Sequence, residues 1–294
     1  YRFDLRSTDK SKWSVKKIFS GSAAQPITSA PAISRYGLNK YVVIFGTGSD
    51  IYQEDVDDKN RQAIYGIYDD LNLQGDKVVA AESKDLLEQE LSEMTVDGKT
   101  VRQITTNNQV GSNHKGWMVK LGTDDGERVI VKPTMILRTA IVSTRIYNQK
   151  KEKISSSGDP CSIDSYKTET MSSSWILTLN ALTGGKLDKF DAHLTILRAE
   201  GEATDTYYAG LQKEGITSFT YMDSAKLNDS PVTADGDSGG AGTDQAYKTA
   251  NNEIPNNTCF GKDTLRVLLT NKNESFNVRG RICGVRRLSW GEIF

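Results

Sequence analysis

Short runs of β-branched and aromatic residues, each ended by turn-forming residues, recur along most of this chain. YVVIFG at 41–46 leads into the turn-like TGSD at 47–50, and AIYGIY at 63–68 ends in two aspartates. The stretch 134–147 is rich in β-formers with apolar residues on both faces, which indicates a strand covered on both sides. Short runs of this kind fit pleated, half-buried strands better than helices. The pattern predicts an all-β fold with many strands and tight turns.

Two local segments give sharper predictions. Residues 116–121 and 128–132 flank the turn sequence GTDDG at 122–126, which predicts a β-hairpin. Ser83 precedes a helix-compatible stretch at 84–89, which predicts a short capped helix.

Several predicted strands carry an aromatic residue near their start and a glycine or polar turn at their end. They lie at 1–5, 65–69, 116–119, 175–179 and 288–290. Such units, each covering its face by stacking on neighbours, are typical of β-propeller blades. Their spacing is irregular, so the prediction is a modified β-propeller, partial or with irregular blades. A generic all-β domain without closure is the alternative.

The start of the chain, Tyr1-Arg2-Phe3-Asp4-Leu5, looks like the middle of a strand. It has neither an initiator methionine nor a secretory signal. We therefore interpret 1–294 as a fragment from the C-terminal part of a larger protein. The polar stretch 223–257, rich in Gly, Asp and Asn, is expected to be a long exposed loop.

The charge balance excludes some classes of function. Lys and Arg total 37 against 38 Asp and Glu, giving a formal net charge of −1. No basic excess is available to neutralise phosphates, so nucleic acid is not expected as a partner. No run of eighteen apolar residues occurs, so no transmembrane segment is predicted.

The three cysteines, Cys161, Cys259 and Cys283, have no CxxC spacing, which argues against a zinc ribbon or redox site. Cys259 and Cys283 flank strand-like segments that a hairpin would bring together, so they are the candidate disulfide in an exported protein. Three unpaired thiols in a cytosolic protein are the alternative.

A protease-like string, GDSGG, occurs at 236–240 and includes Ser238. It surrounds the nucleophile of chymotrypsin-type proteases. Here it lies in a polar loop without flanking apolar strands, and His114 lacks that family's surroundings. A catalytic role is therefore not favoured, and no catalytic residue is assigned.

Two acidic segments are weak candidates for calcium, which prefers oxygen ligands. One contains Asp50, Asp55, Asp57 and Asp58, together with Glu54. The other contains Asp235 and Asp237, but an EF-hand-like loop would need a carboxylate where Ala246 stands. A solvated acidic loop is the favoured interpretation of the first segment.

The chain resembles one family over nearly its whole length and in the right order: the PilC/PilY group of type IV pilus-associated proteins, in its C-terminal β-propeller domain. The matching segments are YRFDL at 1–5, PITSAP at 26–31, VIFGTG at 43–48, IYGIYD at 64–69, Gly116-Trp117, GERV at 126–129 with Pro133, DPC at 159–161, Trp175 with NALTGG at 180–185, and RRLSWGEIF at 286–294.

This resemblance implies a modified β-propeller exported to the bacterial cell surface, at the outer membrane and pilus tip. It implies minor pilins or the pilus tip, and a host-cell receptor, as partners. Its oxidising export route favours the Cys259–Cys283 disulfide. The family's Asp-rich calcium loop precedes the strand matching 1–5, so calcium is expected upstream of Tyr1 and no cofactor within these residues. The family's Arg-Gly-Asp string is absent, since Arg279-Gly280-Arg281 lacks the carboxylate.

The leading functional hypothesis is a non-enzymatic module that supports pilus assembly by opposing retraction and that mediates host-cell adhesion. Its contact surface would lie on loops such as 150–166 and 223–257. Trp117 and Trp175 are interpreted as blade-packing residues. A quinoprotein-like propeller enzyme, suggested by the resemblance of 180–185 to blade endings of that group, is one alternative. A structural cap that binds minor pilins is the other.

Overall fold

The computed structural model describes residues 1–73, 77–122, 125–136, 138–154, 165–188, 191, 193–197, 206–214, 219–223, 265–269 and 275–277. Regular structure in these ranges consists of β-strands and short 3-10 turns, with no α-helix among them. The prediction of an all-β chain is therefore confirmed. No helix in the described part of the chain has the length and apolar character that a membrane span requires.

The described strands follow the chain in this order: β1 (Arg2–Asp4), β2 (Ser14–Lys16), β3 (Ala32–Gly37), β4 (Lys40–Gly46), β5 (Ala63–Asp70), β6 (Leu87–Gln89), β7 (Leu91–Val96), β8 (Lys99–Ile104), β9 (Gly116–Lys120), β10 (Thr134–Ile136), β11 (Thr139–Ile154), β12 (Ser165–Asn180), β13 (Thr195–Leu197), β14 (Thr206–Tyr208), β15 (Gly210–Glu214), β16 (Phe219–Asp223), β17 (Leu265–Leu269) and β18 (Ser275–Asn277). The 3-10 turns are Lys10–Lys12, Gln53–Asp57 and Ser83–Asp85.

One sheet has five strands in the order β3-β4-β5-β9-β6. Its central strands alternate apolar side chains between two sides, as a pleat requires. Ile44, Ile64 and Trp117 lie in the main core, whereas Phe45 and Tyr65 belong to a second cluster. Because both faces are covered, these strands read as nearly continuous apolar runs in the sequence.

The other large sheet has six strands in the order β10-β11-β12-β15-β8-β7. Its centre is a long antiparallel hairpin of β11 and β12, in register from Thr139 opposite Asn180 to Ile154 opposite Ser165. Val142, Trp175 and Leu177 from this sheet join the same core cluster as the five-stranded sheet. The two sheets are therefore held together by one shared hydrophobic core.

Three smaller sheets pair β1 with β2, β13 with β14, and β17 with both β16 and β18. The first of these leaves large apolar side chains, including Phe3 and Val15, exposed to solvent. Arg2 holds it in place, since its guanidinium donates to Asp69 Oδ1 at 2.7 Å and to the carbonyl of Leu73 at 2.8 Å. Polar contacts, more than apolar burial, fix this hairpin on the end of β5.

The structure corrects two local predictions. The segment 84–89 is not a helix, because the Ser83–Asp85 turn leads into β6, which pairs in parallel with β9. Residues 116–121 and 128–132 do not form a hairpin, because β9 pairs with β5 and β6 instead. In both cases the strand finds a partner distant in sequence, which local turn chemistry does not reveal.

A third prediction, the polar loop at 150–166, is too wide. The strands β11 and β12 extend into it from both sides. Strands therefore include polar residues 150–154 and 165–166, and the residues between them lie outside the described ranges.

The indole of Trp117 marks the point where the shared core is tightest. This side chain is fully buried, and its Nε1 donates to the carbonyl of Ala181 at 3.0 Å. A Cβ added at Gly66 would lie 2.2 Å from Trp117 Cε2. Glycine at position 66 is therefore needed for the close approach of β5 to the indole.

We expect Gly66→Ala to destabilise the chain by roughly 1–3 kcal/mol or more, because the added methyl must displace a packed indole. The matched control is Gly37→Ala, where a Cβ would meet only the Lys40 side chain at an ordinary 3.5 Å. That control should stay within about 1 kcal/mol of the parent. Urea unfolding measures both, and equal effects of the two substitutions would contradict the packing argument.

Candidate functional site

The segment that follows the 122–126 turn runs between the two large sheets and touches both. Arg128 exchanges backbone hydrogen bonds of 2.9 and 2.8 Å with Arg145 of β11, while the amide of Val129 donates to the carbonyl of Thr47 at 2.8 Å. Side chains of consecutive residues therefore point to opposite sides, as in a strand. One side faces the interior and the other faces the acidic loop at 49–58.

On the interior side lies a buried ion pair. Arg102 Nη1 donates to Glu127 Oε1 at 2.6 Å, and the two side chains are 2% and 0% exposed. Thr144 Oγ1 donates to the same carboxylate at 2.5 Å, and the amide of Gly122 donates to its other oxygen at 3.0 Å. The Arg102 guanidinium also stacks 3.9 Å above the Trp175 ring. These contacts replace the water that both charges lose on burial.

A third charged residue, Glu93, lies on the solvent side of this pair. Its carboxylate accepts from Arg102 Nε at 3.0 Å and from Nη2 at 2.5 Å, and its side chain is 51% exposed. Burial opposes the charge on Arg102, but Glu127 and Glu93 outweigh this effect and raise its pKa. The group therefore stays charged throughout the working pH range.

On the opposite side, the Arg128 side chain holds the acidic loop by the backbone carbonyls of the loop. Its guanidinium donates to the carbonyls of Ser49, Asp55 and Asp58, and its Nε donates to the carbonyl of Gly126. The loop crosses this side chain closely, since Gly48 has φ +128 and an added Cβ there would lie 2.3 Å from Arg128 Cβ. One buried arginine thus fixes both ends of the loop.

Asp55 fixes the turn within the loop. Its Oδ2 accepts from Ser49 Oγ at 2.6 Å and from the amides of Ile51 and Tyr52 at 2.8 and 3.0 Å. These hydrogen bonds lower the pKa of the Asp55 carboxyl, and the one from Ser49 has the largest effect. The side chains of Ile51 and Tyr52 are left exposed at the tip.

Asp50 ties the loop to the long hairpin. Its Oδ2 accepts from Arg145 Nη1 at 3.3 Å and from the hydroxyl of Tyr147. The carboxylates of Asp50 and Asp55 therefore serve as structural acceptors in this structure.

The calcium prediction for Asp50, Asp55, Asp57 and Asp58 gains no support from their placement. Within the described ranges, which include this whole loop, no group of three His, Cys, Asp or Glu side chains is placed to hold a metal ion. The hypothesis of a calcium ion at this loop stays a prediction. Asp235, Asp237, Ser238, Cys161, Cys259 and Cys283 lie outside the described residues, as does nearly all of the loop 223–257.

Other sequence candidates have structural roles. Trp117 and Trp175 are buried in the core, as predicted. The segment 180–185 is a turn in which Asn180 Oδ1 accepts from the amides of Leu182 and Thr183, and it packs on Trp117. His114 Nδ1 accepts from the amide of Gly111 at 2.8 Å and so closes a turn. The blade-like NALTGG string is therefore explained by packing.

Sequence analysis did not single out the Arg102–Glu127 pair. The only signal was the string GERV at 126–129, which belongs to the family resemblance but shows no partner for its charges. Glu127 and Arg102 are 25 residues apart, and Arg128 contacts carbonyls about 70 residues away.

The fold and this arrangement define the class of the protein as a modified β-propeller, all-β, with described sheets that do not close into a ring. The crystal structure of the Pseudomonas aeruginosa PilY1 C-terminal domain has the same fold. It matches with a TM-score of 0.53 and 18% identity, over 87% of this chain and 45% of that one.

Within this class, two sequence comparisons show similarity to PilY1 proteins. The family model described as PilY1 beta-propeller domain matches residues 2–108. The type IV pilus biogenesis factor PilY1 homolog of Xylella fastidiosa is 27% identical over 187 residues, covering 60% of this chain and 14% of that protein. The resemblance to the PilC/PilY family is confirmed. The chain spans 14% of the length of this curated relative and 45% of the solved domain.

Arg102→Met tests the buried pair. We expect a loss of about 3–5 kcal/mol in the free energy of unfolding, because Glu127 is left charged and buried without its partner. Adding Glu127→Gln to this variant should recover part of the loss, since it removes the uncompensated charge. The control Glu93→Gln, at the half-exposed partner, should cost less than about 1 kcal/mol. Equal losses for Arg102→Met and Glu93→Gln would contradict the buried-pair account.

Asp55→Asn tests the turn within the acidic loop. Because the folded pKa of Asp55 is depressed, its stabilisation is complete above the ordinary carboxyl pKa of about 4 and is lost as pH falls through the folded pKa. Asp55→Asn should therefore increase amide exchange at Ile51 and Tyr52 at pH 7 and remove the acid-dependent part of this exchange. Exchange mass spectrometry of the peptide 49–58, corrected for intrinsic rates, measures both. The control Asp57→Asn should change neither, and identical exchange in Asp55→Asn and the parent would refute the capping role.

Proposed function

We propose that this chain is a non-enzymatic surface module of a type IV pilus biogenesis protein. It acts after export, at the outer membrane and pilus tip, where it supports pilus assembly by opposing retraction and attaches the cell to host surfaces. The observation that carries the proposal is the match of residues 2–108 to the PilY1 beta-propeller domain. The printed name of the Xylella relative, a pilus biogenesis factor, supports the assembly role.

The described geometry fits a rigid frame that presents loops. Of the charged groups deepest in the interior, Arg102 donates to Glu127, and Glu127 also accepts from Thr144, so these groups hydrogen-bond within the frame. Arg128 holds the acidic loop in place by donating hydrogen bonds to the backbone carbonyls of the loop. Loops held in this way supply binding surfaces at little entropic cost. Minor pilins or the pilus tip, and a host-cell receptor, are the proposed partners.

The assembly role is tested in the bacterium that encodes the protein. Deletion of residues 1–294 from the full-length protein should abolish surface pili while the retraction motor is active. Removing the motor in the same strain should restore them, because assembly itself would then proceed unopposed. Failure of motor removal to restore pili would overturn opposition to retraction and would point to a direct requirement in assembly.

The adhesive role is tested with the purified chain on epithelial cells, titrated to saturation with and without a chelator. We expect saturable binding that the chelator does not change, because no calcium ligand is assigned within these residues. A denatured sample is the control for non-specific adsorption. Absence of binding by the folded chain would overturn the adhesive role of these residues and favour the structural cap that binds minor pilins.

A further inference from the structure

The chain changes sheets at Ala209, and this change leaves a gap in the six-stranded sheet. β14 pairs with β13 in a separate hairpin, whereas β15, starting at Gly210, lies between β8 and β12. Beyond Gly210 the ends of β8 and β12 are no longer joined by a strand between them. A cleft of about 220 Å³ opens at this position, bordered by Gln103 and Ile104 of β8 and by Thr178 of β12.

The floor and one wall of the cleft are apolar and well fixed. Ile104 is fully buried beneath it, and the carbonyl of Ala209 accepts from the amide of Thr178 at 2.6 Å, which fixes the chain where it enters the six-stranded sheet. The rings of His193 and Tyr207 lie 4.3 Å apart at an angle of 38°. His193 Nε2 lies 2.7 Å from the carbonyl oxygen of Asp188, which orients the ring. His193 is only 3% exposed, so the surface offered to a ligand is the half-buried Tyr207 ring, which His193 holds in a defined orientation.

The remaining border carries polar groups available to a ligand. Lys186, Gln103 and Thr206 line the cleft, and Lys186 and Thr206 are exposed. Within the described part of the chain, none of these three side chains makes a hydrogen bond or an ion pair. Only the backbone of Lys186 is used, its amide donating to Asn107 Oδ1 at 2.9 Å. A cation, an amide and a hydroxyl therefore line the same small cleft as the Tyr207 ring.

We infer that this cleft binds a single carboxylated sugar residue, such as a uronic or sialic acid at the end of a glycan. The C–H groups of a pyranose ring pack well against an aromatic ring, because the face of the aromatic ring carries partial negative charge. The amide and hydroxyl match sugar hydroxyls, and Lys186 matches the carboxylate.

Other ligand classes fit less well. A purely apolar ligand would leave the amide, the hydroxyl and the ammonium group without partners. A phosphate would be met by one lysine alone, without the arginine fork or the array of backbone N–H groups that usually hold it. The volume is below the 300–1,000 Å³ typical of drug-sized ligands, so it suits one ring with the rest of the glycan in solvent.

This inference rests on the proposed adhesive function, to which it assigns a ligand class and a place. The test uses the isolated chain and free sugars, so its outcome is independent of the cell-binding result. Loss of cell attachment with intact sugar binding would count against adhesion alone. Cell attachment without any sugar binding would count against the cleft alone.

The probes are methyl β-glucuronide and a methyl sialoside, compared with methyl β-glucoside as the neutral analogue, each titrated by ligand-observed NMR. We expect at least one acidic sugar to bind with a dissociation constant on the order of 1 mM. The glucoside should bind about tenfold more weakly, because it lacks the charge-assisted bond to Lys186. The two acidic probes distinguish a uronic acid source from a sialic acid source.

Two variants locate the site. Lys186→Met should weaken the acidic sugar about tenfold and leave the glucoside within about twofold, whereas Tyr207→Leu should weaken both sugars. Lys84→Met is the matched control, since Lys84 lies on an exposed turn away from the cleft, and it should change neither. Equal binding of acidic and neutral sugars, no binding by the folded chain, or an equal effect of Lys84→Met would each overturn the inference.

Discussion

The ion pair between Arg102 and Glu127 is the contact on which the rest of the described structure depends. It places two full charges inside an apolar core, where each would be strongly unfavourable without the other. Thr144 and the amide of Gly122 also donate hydrogen bonds to Glu127. The pair therefore sets the relative position of β8, β11 and Gly122, which follows β9. The position of the 126–129 segment between the sheets follows from this geometry.

The same segment transmits that order to the surface. Glu127 faces inward and Arg128 faces outward, since consecutive residues of an extended segment alternate sides. Arg128 then holds the acidic loop by its carbonyls, and Asp55 shapes the tip. A buried electrostatic contact therefore helps to determine the shape of an exposed loop of ten residues, 49–58. This arrangement suits the surface module proposed for the chain, which is similar to the PilY1 beta-propeller domain over residues 2–108.

Polar side chains become available to a ligand where the regular pairing of strands is interrupted. Where the chain passes from β14 to β15, neighbouring strands separate and side chains lose their cross-strand neighbours. Gln103 and Lys186 line such a gap, and in the described ranges their side chains make no hydrogen bond or ion pair. Elsewhere the described polar interior is largely satisfied, as at Glu127. The contrast explains why the cleft, and not the buried network, is assigned a ligand.

The sequence alone predicted the features that depend on nearby residues in the chain, namely the positions of several strands and of the buried tryptophans. The runs at 41–46 and 63–68 form β4 and β5, and the large tryptophans lie in the core, because alternation and apolarity are local properties. The tertiary structure decided which strands pair: β6 replaced the expected helix at 84–89, and β9 found β5 instead of 128–132. It also decided the partners of Arg102 and Arg128 and the position of the cleft. These contacts join residues far apart in sequence, where one charge gives no sign of which other charge it will meet.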